Sequence, residues 1–373
     1  MRIALGIVTW FGHGGLQRDC AAIAALLAGK GHAVTLFAAR AGTEPPRGVD
    51  FRLLPVAARS NHRRNLAFAR AFAAAARAFD RSVAFGILPG ADFVYCADRS
   101  YIARHRHWWQ RLTPRYRVMA GLERDVFDPA SRTRILALAA PQVAEFRAVH
   151  RIQEDRLILL PPGIDPRRRQ PWNRHDGTRE RLRGELGVDP DTPLLLWVGA
   201  QPLVKGLDRV LRALPHAPSA RLALLGIERE GVDAGRVRPW AERQGVADRL
   251  HLLGVRDDVP ELMAAADLLV HPARLDTTAT VILEALANGL PVLTTAVCGF
   301  APHVTASGAG LVLSEPFSQP TLDRALPEVL ADPRRGDWSE AAAHYAADPS
   351  FYRGREVAAE IIAGEDGWST VQD

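Results

Sequence analysis

Two Rossmann-like α/β domains, each built on a parallel sheet, are predicted by three features of the sequence. Short apolar runs alternate with helix-like stretches along the whole chain, the pattern of parallel strands with helices on both faces. The length, 373 residues, is enough for two domains with separate cores. A Pro161-Pro162-Gly163 linker divides the alternation into two sets, because the prolines restrict the backbone and the glycine permits a turn. The expected domains are residues 1–163 and 164–345, with a C-terminal helical segment, 346–373, packing back on the first.

In chain order, residues 3–9 form the first apolar run, followed by a Gly12-His13-Gly14-Gly15 loop and a helical stretch over 16–28. Residues 34–37, 51–54, 83–85 and 93–96 read as short strands, and 65–79 as an Ala-rich helix. Strands at 134–138 and 157–160 close the first half. Residues 165–178 are polar, basic and proline-containing, which reads as loop. The second half has strands at 194–199, 221–226, 250–254, 267–270 and 291–295, separated by helical stretches. In such folds ligands sit beyond the carboxyl ends of the strands.

The composition is that of an ordinary globular protein, 47% hydrophobic and 24% charged, with net charge +5. Lysine appears only as Lys30 and Lys205, which suggests GC-rich coding bias, so the arginine count by itself says little about function; no nucleic-acid partner is expected. Cys20, Cys96 and Cys298 are odd in number and far apart, which argues against a disulfide framework or zinc site and for a reducing compartment. The apolar start lacks a small-residue cleavage site and reads as a buried strand, not a signal peptide. No apolar run approaches the roughly 20 residues of a membrane span.

Several stretches can carry chemistry. Residues 267–291 read as a buried strand ended by Pro272, a small-polar turn from Asp276, and a helix containing Glu284 and stopped by Gly289. The free N–H groups and positive dipole end at that helix start, around Thr278, Ala279, Thr280 and Val281, suit a phosphate. Glu284, about one turn further in, can accept hydrogen bonds from a ribose. Taken alone, the same residues also fit an ordinary strand-turn-helix with two solvated acids. Gly14 and Gly15 after the first strand permit close backbone approach to a ligand, or simply make a tight turn. Asp98 follows a first-domain strand; it either faces the ligand cleft or pairs with neighbouring Arg99. Gly199 and Lys205, after the strand 194–199, can place backbone and an ammonium beside a diphosphate; an exposed helix-start lysine is the plain alternative. The one D-x-D, Asp189-Pro190-Asp191, reads as an acidic turn, and no metal is expected.

Asp276 and Glu284, with seven residues between them, the first after "ADLLVHPA" and the second opening "EALANGLPVLTT", resemble the E-x7-E signature of retaining GT-B glycosyltransferases, glycosyltransferase family 4. Within that family, "ELMAAADLLVHPA", "GLPVLTTAVCG" and "GGLQRD" resemble the enzymes that add the first glucose to the inner-core heptose of lipopolysaccharide. The resemblance covers nearly the whole chain. It implies a GT-B fold, with both sheets facing an interdomain cleft, and retaining transfer of a hexose, glucose, from UDP-glucose as substrate, with no further cofactor. It implies catalytic roles for Asp98, Lys205 and Asp276. The implied donor site takes in Gly14, Gly15 and Asp19 of the first domain. In the second it takes in Gly199, Lys205, Thr278, Ala279, Thr280, Val281 and Glu284. Asn61, His62 and Arg64, in "SNHRRN", are implied on the acceptor side.

The chain departs from the family pattern in places. Asp276 is one methylene shorter than the usual glutamate, Ala279 stands where glycine is usual, and Val204 replaces an arginine before Lys205. Gly86-Ile87-Leu88 replaces a more polar stretch. Two other readings therefore stay open: a catalytically weak saccharide- or nucleotide-binding protein on this fold, and a sugar-nucleotide epimerase.

Residues 99–122 hold Arg99, Arg104, Arg106, Arg111, Arg115 and Arg117 with no acid until Glu123, interleaved with Tyr101, Trp108, Trp109 and Tyr116. Arginines with interfacial aromatics fit an anionic membrane surface. The expected location is cytoplasmic, at the inner membrane, beside a lipid-linked, phosphate-bearing acceptor. An acidic protein partner or RNA is the alternative use of such a patch.

Overall fold

Parallel strands covered on both faces are apolar along their whole length, and residues 93–96 and 194–198, one strand in each sheet, have this character. In a computed structural model describing residues 1–11, 14–105, 107–228 and 232–365, the chain divides into two units, 1–163 with 352–373, and 164–351. Gly12, His13 and Arg106 lie outside the described residues.

The first unit carries a seven-stranded sheet of β1 (Arg2–Trp10), β2 (Ala33–Ala41), β3 (Asp50–Leu53), β4 (Arg81–Phe85), β5 (Phe93–Cys96), β6 (Arg134–Ala137) and β7 (Leu157–Leu159). The order is β3-β2-β1-β4-β5-β6-β7, and every pairing is parallel. The Ala-rich helix spans Asn61–Ala76, starting earlier than its apolar run because the polar first turn is helical too. Phe68 and Phe72 stack in one layer of core. On the other face the helix Gly15–Gly29 buries Ile23 and Leu27 with Val357 and Ile361 of the last helix, Gly354–Ala363.

The second unit holds β8 (Leu194–Val198), β9 (Arg221–Leu225), β10 (Leu250–Gly254), β11 (Leu268–His271), β12 (Val292–Thr295) and β13 (Gly310–Leu313). Their order, β10-β9-β8-β11-β12-β13, is again all parallel. β13, not expected from the sequence, is a short edge strand led by Gly310. The stretch read as loop over 165–178 contains two 3-10 turns, Pro166–Arg168 and Pro171–Arg174. It is fixed because buried Asn288 accepts from the Gln170 N–H at 2.9 Å and donates to the Arg168 carbonyl at 2.8 Å.

In each sheet the strand order reverses beside the central strand, between β1 and β4 and between β8 and β11. The crevice at the carboxyl ends of strands on either side of such a reversal is where doubly wound sheets bind ligands.

Candidate active site

Residues following β8 and β11 meet at the switch point of the second sheet. β8 is followed by Gly199, whose N–H donates to the Leu225 carbonyl at 2.9 Å. The turn that follows is closed by the Lys205 N–H on the Gln201 carbonyl (2.9 Å) and by buried Trp197, whose indole N–H donates to the Lys205 carbonyl at 3.1 Å. Gly206 has φ of 74°, and a Cβ there would overlap the Pro272 carbonyl beyond β11. Glycine is therefore what lets the lysine turn lie against the neighbouring strand end.

From this turn Lys205 Nζ reaches Asp276 Oδ2 at 2.7 Å. His271, buried at the end of β11, places Nε2 3.0 Å from the same oxygen. Asp276 Oδ1 accepts the Ala279 N–H at 2.9 Å. Burial works to raise the Asp276 carboxyl, but the His271 hydrogen bond and the Lys205 charge outweigh it and bring it down to about 2. The aspartate loop is pinned behind by the Phe300 N–H on the Thr278 carbonyl (2.7 Å) and the Gly299 N–H on that of Asp276 (3.2 Å).

Ala279 adopts φ 57° and ψ 56°, the left-handed region, alone among the described non-glycine residues. The conformation that glycine would take without strain is thus kept here with a Cβ present. Directly after it the helix Thr280–Ala287 begins. The N–H groups of Thr280 and Val281 have no acceptor among the described residues, while the Thr278 and Thr280 hydroxyls lie 3.3 Å apart. Glu284, largely buried, lies 3.8 Å from Arg168 Nε. A cleft of about 530 Å³ lined by Arg168, Gln170, Asp257 and Asp258 adjoins that arginine. The second unit therefore gathers one ammonium, two free backbone donors and a carboxylate, a set complementary to a diphosphate and a ribose.

The first unit has its own cavity, about 430 Å³, at the switch point between β1 and β4. Its walls bring together Asn61, Arg64, Asp98 and Arg104 with Gln17 and the turn Gly86-Ile87-Leu88. Arg64 donates to Asn61 Oδ1 at 2.9 Å. His62 instead bonds the Ser60 hydroxyl at 3.2 Å. Arg99 does not neutralise Asp98; it is held by Glu145. The Asp98 loop is set by buried Gln142, whose amide donates to the Cys96 (2.7 Å) and Asp98 (2.6 Å) carbonyls. Surrounding protein desolvates the Asp98 carboxyl and raises it above the ordinary range; Arg104 pulls the other way. The side chain opens onto the cavity, and solvent there moderates the rise.

Gly14 and Gly15 open the helix after β1, the Gly14 carbonyl accepting the Arg18 N–H at 3.0 Å. Asp19 is not brought to the cavity. Its oxygens take the Tyr95 hydroxyl at 3.0 Å and Arg355 Nε at 2.8 Å, tying the last helix to the first.

Beyond Asp98 the chain forms a short helix, Tyr101–Arg104, and a 3-10 turn, Trp108–Leu112. A helix, Pro114–Phe127, follows; the Thr113 hydroxyl caps it, accepting the Tyr116 N–H at 3.1 Å. Trp108, Trp109 and Leu112 are 73%, 56% and 58% exposed, beside exposed Arg104, Arg111, Arg115 and Arg117. Tyr116, expected at the surface, is only 5% exposed, because it lies on the inner face of its helix and packs against Tyr101 and His105.

Sequence reasoning missed His271, Arg168, Gln142 and Glu123. His271 had a readable signal, a polar residue closing an apolar run. The others reach their partners only through the tertiary fold. Among the described residues, no group of three or more His, Cys, Asp or Glu is placed to hold a metal ion, and no helix is long and apolar enough to cross a membrane.

The chain is similar to known proteins in sequence and fold. Residues 13–168 match Glycosyltransferase Family 4, and residues 178–345 match the glycosyl transferases of group 1. The chain is 37% identical over 371 residues to the lipopolysaccharide glucosyltransferase WaaG of Escherichia coli K12, covering 98% of this chain and 99% of that one. The crystal structure of WaaG, a glycosyltransferase involved in lipopolysaccharide biosynthesis, superposes with a TM-score of 0.88 at 35% identity, over 97% of this chain and 100% of that one. A sucrose-phosphate synthase from Thermosynechococcus elongatus shares the fold, with a TM-score of 0.77 at 18% identity over 98% and 97% of the two chains. With parallel sheets in both units and end-to-end similarity of sequence and structure, the chain belongs to the GT-B glycosyltransferases of family 4 and is a glycosyltransferase.

Proposed function

We propose that this enzyme transfers glucose from UDP-glucose, with retention, to the inner-core heptose of lipopolysaccharide at the cytoplasmic face of the inner membrane. The observation that carries the reading is the set at the second switch point: Lys205, the free N–H groups of Thr280 and Val281, and Glu284. The similarity to WaaG supports the choice of sugar and acceptor. In this reading residues 164–345 hold the donor and residues 1–163 the acceptor.

Negative charge grows on the diphosphate as the glycosyl bond breaks. Lys205 and the helix-start N–H groups stabilise it there, in the electrostatic role that usually dominates such catalysis. Lys205 turns from Asp276 to the diphosphate, while His271 and the Ala279 N–H keep Asp276 in place. Glu284 accepts hydrogen bonds from the ribose. Asp98, in one cavity wall with Asn61, Arg64 and Arg104, holds the acceptor hydroxyl or takes its proton. The exposed Trp108, Trp109 and arginine surface rests on the anionic bilayer that carries the acceptor.

The reading is tested by calorimetry against UDP, GDP and ADP, then by transfer of labelled glucose to heptose-terminated lipopolysaccharide. Glu284→Gln keeps the shape but removes the charge, and should weaken UDP binding by about 1.5–3 kcal/mol. Unchanged UDP affinity in the folded variant would remove Glu284 from the ribose.

A further inference from the structure

The arginine-rich segment lines a second cavity of the first unit, about 570 Å³, to which none of the roles above assigns a ligand. Its apolar surface comes from Ile102 and Ala103 on one side and Ala148 and Val149 on the other. Arg104 and Arg111 stand at it, together with the Arg99–Glu145 pair. Arg99 and Arg104 also line the 430 Å³ cavity that holds Asp98, so the two cavities share a wall.

The charges around this space do not cancel. Glu145 is committed to Arg99 and to the Ser100 N–H at 2.7 Å. Arg104 and Arg111 have no carboxylate within 4.0 Å among the described residues, the limit for an ion pair. Each is fixed instead through Nε, Arg104 on the Ser100 carbonyl at 3.2 Å and Arg111 on the His105 carbonyl at 3.5 Å. Arg104 lies over the Tyr101 ring, 5.8 Å from its centroid. A guanidinium held by Nε leaves its terminal N–H pair free, and such a fork matches a phosphate or carboxylate. Small aliphatic side chains beneath suit the C–H face of a sugar ring.

Resting on the acceptor reading above, we propose that this cavity is an anion subsite for the acceptor, binding a phosphate- or carboxylate-bearing sugar next to the one that is glycosylated. Arg104 and Arg111 grip the anion, the apolar floor takes the ring, and the shared wall sets the neighbouring hydroxyl toward Asp98. The subsite thereby selects acceptors that carry a negative charge one sugar away from the reacting hydroxyl.

Arg111 lines this cavity and not the one holding Asp98, so Arg111→Gln isolates the subsite. Transfer is measured in detergent, without bilayers, to three acceptors: intact heptose-terminated lipopolysaccharide, the same material dephosphorylated, and the same material with its carboxylates reduced. The variant should raise KM for the intact acceptor at least about 10-fold, as expected for a lost charged hydrogen bond. Its kcat and its KM for UDP-glucose should stay close to the parent's. Arg111→Lys should recover part of the loss. The difference between parent and variant should vanish on one of the two neutralised acceptors, and which one identifies the anion. Ala148→Leu fills the floor without touching charge and should raise the same KM, which decides the matter if Arg111→Gln does not fold. Equal KM for parent and both variants on the intact acceptor overturns the subsite, as does a rise that persists on both neutralised acceptors. If the parent itself transfers no glucose, the acceptor reading has failed, and the subsite falls with it.

Discussion

Lys205 Nζ sits 2.7 Å from Asp276 Oδ2, so the cation at the second switch point is paired before any donor arrives. Both partners are mostly shielded from water, and Asp276 keeps two further donors, His271 Nε2 and the Ala279 N–H. If the lysine turns to a diphosphate, the aspartate therefore remains hydrogen-bonded. In the proposed reading the pair holds Lys205 until the donor's diphosphate competes with Asp276 for it.

Lys205→Met should lower kcat by about 100-fold, the usual effect of removing one group that stabilises developing charge. The melting temperature should change little, because Asp276 retains His271 and the Ala279 N–H. A kcat equal to the parent's would take the lysine away from the diphosphate. A large fall in melting temperature at unchanged kcat would make it a structural cation.

The Asp276 carboxyl also predicts how stability follows pH. Its folded value, about 2, lies below the roughly 3.9 of an unfolded aspartate. Its contribution is therefore complete above about pH 4 and is lost as pH falls toward about 2. The amount is on the order of 2 kcal/mol. Asp276→Asn lacks this term, so melting curves of parent and variant should differ near neutrality and converge on acidification through that window. A gap that stays constant with pH would mean that the carboxylate is not what stabilises the loop.

Ala279 stores strain that a glycine would release. A left-handed residue bearing a Cβ costs about 1–2 kcal/mol, and glycine gives back about 0.4–1 kcal/mol through the unfolded chain. Ala279→Gly should therefore stabilise by up to about 1 kcal/mol. Ala279→Val, β-branched in the same conformation, should destabilise clearly. If the two variants melt together, the backbone at 279 has relaxed out of the left-handed region.

Much of this fold was legible because buried parallel strands are apolar at every position, and β5 and β8 stand out as such runs. The αL position at 279 was legible in part, since an alanine where glycine is usual marks a backbone demand without giving its angles. What stayed hidden were partnerships made across the fold. Nothing near Asp19 indicates that Arg355 will come from more than 300 residues away to hold it. Nor does spacing announce that Glu123, fully buried, accepts the Ser100 hydroxyl at 2.6 Å and faces His150 at 2.8 Å, fixing the loop after Asp98. Tyr116 was misread because interleaving with arginines is visible in sequence while the inward face of its helix is not.

The proposed membrane contact separates into two physical terms. The exposed Arg115 and Arg117 are attracted by anionic headgroups, each by about 1 kcal/mol when near the surface, and salt screens this over roughly a Debye length. Trp108, Trp109 and Leu112 add an apolar term that salt does not screen. The protein should therefore co-sediment with vesicles rich in phosphatidylglycerol at low salt, less at high salt, and weakly with phosphatidylcholine. Arg115→Gln with Arg117→Gln should flatten the salt dependence. Trp108→Ser with Trp109→Ser should weaken binding at every salt concentration and leave the slope in place. UDP affinity should be unchanged in both double variants, since Lys205 and Glu284 belong to the other unit. Vesicle binding that ignores both pairs of substitutions would take the bilayer away from this surface and leave the exposed tryptophans to a protein partner.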